Sequence, residues 1–265
     1  QIHTDFLSPY FWRQSLLNKI RVFLAGFLLP RADGIRVVSS RIKNSLLQAK
    51  RYKLKANPLV LPVYTDILET DMLEGFSWRE QFPDSDFVFL IVSRLEKEKG
   101  VILAVEAMAD VVKEHPRAGL VIVGEGKERP KILKIISRFG LERNVYLLGH
   151  RRDANLFFKD ADACIVSSYY EGYGLVLIEA ASAGCPIIST DVGLVGDILL
   201  PDKDLLVCPV GDISCMSGKM KELLGSEDKK NSLRYNAKES ALKRAISLSD
   251  YLSAYKDSLE SLIKN

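Results

Sequence analysis

Apolar positions between Phe87 and Cys208 fall into short, near-continuous runs separated by stretches with helical spacing. The run Phe87 to Val92 is followed by a helical pattern from about Val101 to Glu114, which stops before Pro116. The next run, LVIVGEG, leads to a helix over PKILKIISRFG, and Gly140 is the expected left-handed terminator. NVYLLG, ADACIVSS, PIISTD and LLVCP supply further strands, with helices near 153–160, 174–184 and 212–224 between them. Val/Ile/Leu runs alternating with helices predict a doubly wound α/β domain, its parallel sheet covered on both faces.

The flanks pattern differently. Residues 12–29 carry apolar side chains at helical spacing and end at Pro30; GIRVVSS then reads as a strand, Ser39 or Ser40 caps a helix to about Lys50, and LVLPV is extended. These 65 residues look like the tail of a second, truncated α/β domain. The last forty residues read as two amphipathic helices, the final one from about Ser249 to Ile263. The predicted division is 1–65, 66–248 and 249–265. A chain of 265 residues suits one full α/β domain plus part of another, and since it opens on Gln1 without a signal-peptide pattern, a fragment is expected.

Charge sharpens this boundary. Residues 1–55 hold eleven Lys and Arg against Asp5 and Asp33, a balance of +9, whereas the rest carries −6 and the whole chain +3. Such asymmetry fits a segment facing an anionic lipid surface or nucleic acid, and fits solvated helix faces equally well. The longest uninterrupted apolar run in this segment, Val22 to Leu29, is far short of the roughly 18–20 residues that span a bilayer. Cys164, Cys185, Cys208 and Cys215 form no C-x-x-C pair and have no His at metal-ligand spacing. Cys164 and Cys208 sit in apolar runs, so free buried thiols, a reducing cytoplasm and no structural metal are expected.

Candidate chemistry lies just after the strands, where open α/β sheets bind ligands. Ser93 to Gly100 (SRLEKEKG) places Arg94 and Lys99 before a helix N-terminus, an arrangement suited to phosphate, although taken alone the segment fits a charged surface loop better. Gly124-Glu125-Gly126 lacks the third glycine of a dinucleotide fingerprint, since Arg129 stands there, so a nicotinamide or flavin enzyme is disfavoured. The most specific stretch is Tyr169 to Ala180 (YYEGYGLVLIEA): Glu171 on a loop, glycines at 172 and 174 exposing helix-start amides, and Glu179 about one turn inside the helix. Paired Glu residues eight apart are common, but the flanking Gly-aromatic-Gly weakens a purely structural explanation.

EGYGLVLIEA resembles the E-x7-E signature of family-4 retaining glycosyltransferases of the GT-B fold. SRLEKEKG, VIVGEG, VYLLGH and GCPIISTDVGLVGDIL resemble the family's other motifs in the same order, over about residues 33–225. The resemblance implies a Rossmann-like domain that binds a nucleoside diphosphate sugar without a metal or other cofactor. Arg94 and Lys99 would neutralise the diphosphate, and Glu171 would contact the transferred sugar. Gly172, Tyr173, Gly174, Leu175 and Val176 would offer backbone amides, and Glu179 would accept from the ribose hydroxyls. Gly124 and Gly126 correspond to the family's glycine turn, and the segment from Gly149 to Arg152 would border the base. Gln1 to Phe6 resembles a strand end of the N-terminal domain, which makes His3 the counterpart of a catalytic-cleft histidine. The implied partners are the donor and a glycan or lipid-linked acceptor, with peripheral contact to an anionic membrane and no nucleic acid. The basic leading helix suits such a contact, although its apolar stripe fits packing against the missing half-domain better. Gly193-Leu194 stands where the family has two glycines, which makes the shape of that loop the main departure. An epimerase, a phosphorylase and a non-catalytic nucleotide-sugar module are the rival readings.

Overall fold

In this computed structural model, residues 1–49, 52–65, 81–82 and 84–263 are described, so the expected boundary at residue 66 lies outside them. Six parallel strands, β3 (Phe87–Val92), β4 (Ala118–Val123), β5 (Val145–Gly149), β6 (Ala163–Val166), β7 (Ile187–Thr190) and β8 (Leu206–Cys208), form one sheet in the order β5-β4-β3-β6-β7-β8. Side chains alternate between its two faces as strand geometry demands. Val88 and Leu90 enter one hydrophobic cluster, while Phe87, Phe89 and Ile91 enter the other. The second face is covered by α4 (Val101–Glu114), α5 (Arg129–Phe139) and α8 (Ile213–Leu224), through residues such as Met108, Ile132 and Met220. Gly140 ends α5 with φ 65°, as expected.

The first face is covered by α6 (Phe157–Asp160), α7 (Leu175–Ser182) and part of α9 (Glu227–Leu242), and also by the leading segment. There β1 (Arg36–Val37) and β2 (Leu59–Val60) pair in parallel, Ile2 bridges to Val37, and α3 (Ser40–Gln48) buries Ile42 and Leu46 in the same cluster as Val88 and Leu90. The leading segment therefore shares a core with the large sheet. The terminal helix α10 (Leu248–Ile263) returns to it: Arg36 donates to Ser258 Oγ at 3.0 Å and Tyr255 OH at 3.1 Å.

Two local expectations are corrected. The single helix expected over 12–29 is two, α1 (Pro9–Gln14) and α2 (Leu16–Leu28), because Ser15 turns extended (φ −156°) and its hydroxyl caps the Asn18 amide at 3.1 Å. Cys208 is not a free thiol: it is bonded to Cys215, with Cα atoms 5.7 Å apart. The chain leaves β8, turns, and brings the first turn of α8 back beside the strand end, a proximity that a spacing of seven does not announce. Cys164 and Cys185 are free and buried.

The loops after β3 and β6 are laced together. Ser167 Oγ donates to the Lys99 carbonyl at 3.0 Å, and the Tyr169 amide donates to the Glu98 carbonyl at 2.7 Å. Gly100 begins α4 with φ 59°, and a Cβ there would overlap the Ser167 carbonyl. A Gly100→Ala substitution should lower stability by about 1–3 kcal/mol, or more, from the strained φ and the overlap. Urea unfolding checks this as a lower midpoint at unchanged slope.

Candidate functional site

From β3 the chain steps outward through β4 and β5, and from β6 it steps the other way, so β3 and β6 flank the point where strand order reverses. Ligand crevices form beyond the carboxyl ends of strands at such a point. A cavity of about 440 Å³ opens there. It is lined by His3, Arg94, Lys99, Glu171, Gly172, Tyr173, Gly174, Leu175 and Val176, all residues singled out by sequence. Gly124, Gly126, Gly149 and Glu179 do not line it. Gly124 and Gly126 instead press their backbone on Ser93 and Leu95, leaving no space for a Cβ at either position. Gly149 accepts from the Gly124 amide at 2.8 Å, which joins the ends of β4 and β5.

The charged groups of the cavity are paired. Lys99 Nζ donates to Glu171 Oε1 at 2.5 Å, and Ser168 Oγ donates to the same oxygen at 2.8 Å. Both side chains of this ion pair are more than four-fifths buried. Arg94 lies at the mouth, largely exposed, and its guanidinium donates to Glu98 Oε1 at 3.2 Å. The other Glu98 oxygen accepts from Gln14 Nε2 at 3.0 Å, and Gln14 Oε1 in turn accepts from Tyr170 OH at 2.5 Å.

Glu98, Gln14, Ser168 and Tyr170 are the site residues that sequence reasoning missed. Ser168 and Tyr170 lie three and one positions before Glu171 and could have been read from that proximity. Gln14 carries no local signal, because its contact with Tyr170 spans 156 positions.

Glu171 sits on the loop after β6, and α7 starts at once with Gly174 (φ 83°) as its N-cap. Among the described residues no side chain caps this helix start, and its first residues, Gly174 to Val176, line the cavity. Gly172 lies directly under the His3 carbonyl, where a Cβ would overlap it, and the His3 ring is exposed at the rim. Burial, with lesser contributions from Glu98 and Glu171, pushes the Tyr170 hydroxyl to about 12; burial and Asp197 do the same for Tyr173. Neither phenol can serve as a proton acceptor near neutrality. Leu194, in place of the family's second glycine, is fully buried in the core and anchors the loop after β7.

Glu179 lies further along α7, half-buried, with no side-chain hydrogen-bond partner among the described residues, and burial raises its carboxyl pKa. Among the described residues no group of three or more His, Cys, Asp or Glu is placed to hold a metal ion. The site can therefore offer two cations and a helix start to an anion, and carboxylates to hydroxyls.

Residues 74–240 match the family model described as glycosyl transferases group 1. An uncharacterized glycosyltransferase of Methanocaldococcus jannaschii is 30% identical over 187 residues, covering 68% of this chain and 45% of that protein. N-acetyl-alpha-D-glucosaminyl L-malate synthase of Bacillus anthracis is 28% identical over 253 residues, covering 92% of this chain and 64% of the synthase. The chain thus spans less than two thirds of either relative. Among solved structures, Anabaena HepE in complex with UDP and glucose superposes with a TM-score of 0.80 at 23% identity, over 98% of this chain and 70% of HepE.

The raised pKa of Glu179 has a stability consequence. An acid whose folded pKa lies above its unfolded value favours folding fully below the ordinary 4.5 and loses that contribution as pH rises through the folded pKa. Glu179→Gln should therefore raise the melting temperature at pH 7, with the difference from the unaltered protein shrinking towards pH 4. Thermal unfolding across that range is the check.

Proposed function

Because the chain belongs to the glycosyl transferases group 1 family, we propose that it forms the donor side of an enzyme that moves a hexosyl unit from a nucleoside diphosphate sugar to a glycan or lipid-linked acceptor, with retention at the anomeric carbon. The observation carrying this reading is the convergence of Arg94, Lys99, Glu171 and the uncapped start of α7 on one cavity at the sheet's reversal point. HepE, which has this fold, was crystallised with UDP and glucose, and a ligand of that chemistry suits the same set of groups.

In this reading the diphosphate takes the cations. Negative charge grows on it as the glycosidic bond breaks, and fixed positive groups aimed at that charge lower the barrier without reorganising. Arg94, Lys99 and the α7 N-terminus supply them, so no metal ion or other cofactor is required. Glu171, released from Lys99 by the incoming phosphate, accepts from hydroxyls of the transferred sugar. Glu179 accepts from the ribose hydroxyls, two donors for a half-buried carboxylate. Gly124, Gly126 and Gly149 shape the strand ends on the nucleoside side, with the segment 149–152 bordering the base. His3 faces the sugar from the leading segment and holds a hydroxyl or assists the acceptor.

The acceptor side includes a membrane contact. Helix α2 leaves Leu16, Leu17, Phe23, Phe27 and Leu28 more than half exposed, and between Asp5 and Asp33 there is no acidic residue but Arg13, Lys19, Arg21 and Arg31. A basic helix with an apolar face binds anionic lipid surfaces by both properties. No helix among the described residues is long and apolar enough to cross a membrane, so the contact would be peripheral.

Two measurements test these statements. Lys99→Ala should lower sugar transfer by about a hundredfold, the scale of a lost transition-state electrostatic group, while weakening UDP binding much less; equal losses would remove the leaving-group role. Sedimentation with vesicles containing phosphatidylglycerol should pull the protein down at low salt and release it at high salt; no binding at low salt would remove the membrane contact.

A further inference from the structure

Arg41 is the second residue of α3, in the leading segment, yet its guanidinium reaches across to the loop after β7. Nε donates to the Gly193 carbonyl at 3.2 Å, Nη1 to the Asp191 carbonyl at 3.4 Å, and Nη2 to the Val195 carbonyl at 2.7 Å. Nη2 also pairs with Asp191 Oδ1 at 2.5 Å. The ion pair alone would contribute little, since the Asp191 side chain is 56% exposed. Three converging backbone carbonyls are different. Only the planar fork of arginine serves them together, and lysine is a point charge with no such fork.

The loop so held supports the sugar end of the cavity. Gly193 (φ 57°) is close to Tyr173 and Glu171: a Cβ at 193 would stand 2.5 Å from the Tyr173 carbonyl oxygen and 3.2 Å from Glu171 Cβ. Arg41, Asp191, Val192 and Gly193 also share with Glu171 the wall of a second hollow of about 270 Å³. The residues just before Arg41 grip the same region. Ser39 Oγ donates to the Gly172 carbonyl at 2.9 Å, fully buried, and the Ser40 amide donates to Asp197 Oδ2 at 2.8 Å. Three consecutive residues of the leading segment thus hold both the Glu171–Gly172 loop and the loop that backs it.

We infer that Arg41 is a positioning residue: it fixes the 191–195 loop against Glu171 and so sets the geometry that distinguishes a nucleotide carrying a sugar from the bare nucleotide. This rests on the reading of Glu171 as the sugar-contacting carboxylate. The phosphate end has a hold of its own, although Lys99 pairs with Glu171: Arg94 and Lys99 are carried by the β3 loop, which Ser167 and Tyr169 fix through the Lys99 and Glu98 carbonyls, with no contact to Arg41. Losing Arg41 therefore loosens the sugar end more than the phosphate end.

The test compares Arg41→Ala, Arg41→Lys and Asp191→Asn with the unaltered protein. In calorimetry the probes are UDP and UDP-glucose. Arg41→Ala should bind UDP within about twofold of the unaltered protein and lose about ten- to a hundredfold in its preference for UDP-glucose over UDP, the cost of a displaced contact. Arg41→Lys should recover only part of that preference. Asp191→Asn, which removes the charge of the ion pair but keeps an oxygen that can accept from Nη2 and leaves the three carbonyl contacts in place, should lose least and remain folded. Hydrogen exchange needs no ligand: in Arg41→Ala the amides of 171–176 and 191–199 should exchange faster, with 93–100 unchanged. Equal weakening of both probes, or unchanged exchange at 171–176 and 191–199, would overturn the inference. Should neither probe bind the unaltered protein, a uridine donor is excluded, and the exchange comparison still decides whether Arg41 holds these loops.

Discussion

The lacing of two loops across the sheet's reversal point is the constraint on which the site depends. The amide of Tyr169 and the hydroxyl of Ser167 reach carbonyls at Glu98 and Lys99, which is possible only because Gly100 carries no Cβ. That approach brings Lys99 within hydrogen-bond range of Glu171 and puts a cation beside the uncapped start of α7. Strands β3 and β6 supply the platform over which the Lys99–Glu171 and Arg94–Glu98 pairs are arranged. A side chain at position 100 would separate the two halves of the site without altering any residue that could touch a ligand.

The charges in this crevice are also balanced without a ligand. Lys99 is neutralised by Glu171 and Arg94 by Glu98, while Ser168 and Gln14 supply further hydrogen bonds to the two carboxylates. Burying an ion is tolerable only when a partner and hydrogen bonds replace its water. An incoming polyanion therefore meets cations that it must take from carboxylates, and it leaves those carboxylates with acceptor capacity that hydroxyl groups fit. That arrangement is consistent with the proposed ligand, which has phosphate at one end and hydroxyls at the other.

The large sheet was legible because burial on both faces forces near-continuous apolar strands, and Phe87 to Val92 or Leu120 to Val123 could hardly be anything else in that setting. Motif spacing placed Arg94, Lys99 and Glu171 correctly at strand ends, since position along a parallel strand is itself a spatial coordinate. What stayed hidden was non-local or depended on a single cap. Ser15 splits a helix that periodicity alone runs through, and Cys215 meets Cys208 only after a turn folds back. The grip of the leading segment, through Gln14, Ser39 and Arg41, joins positions more than 130 residues apart in the case of Ser39 and Gly172. Hydrophobic pattern carries no information about such pairs.

The strand order has a temporal side. Lys99 and Glu171 are 72 positions apart, and between them lie β4, β5 and the crossover to β6. Contacts of such separation must first meet the entropy of closing the intervening chain, so they form late relative to local helices. A chain emerging from the ribosome that has completed only β3 to β5 carries both cations and neither the opposing carboxylate nor the α7 amides. The crevice therefore needs β6 beside β3, and the cations gain their opposing carboxylate and the α7 amides only when the sheet's centre is complete.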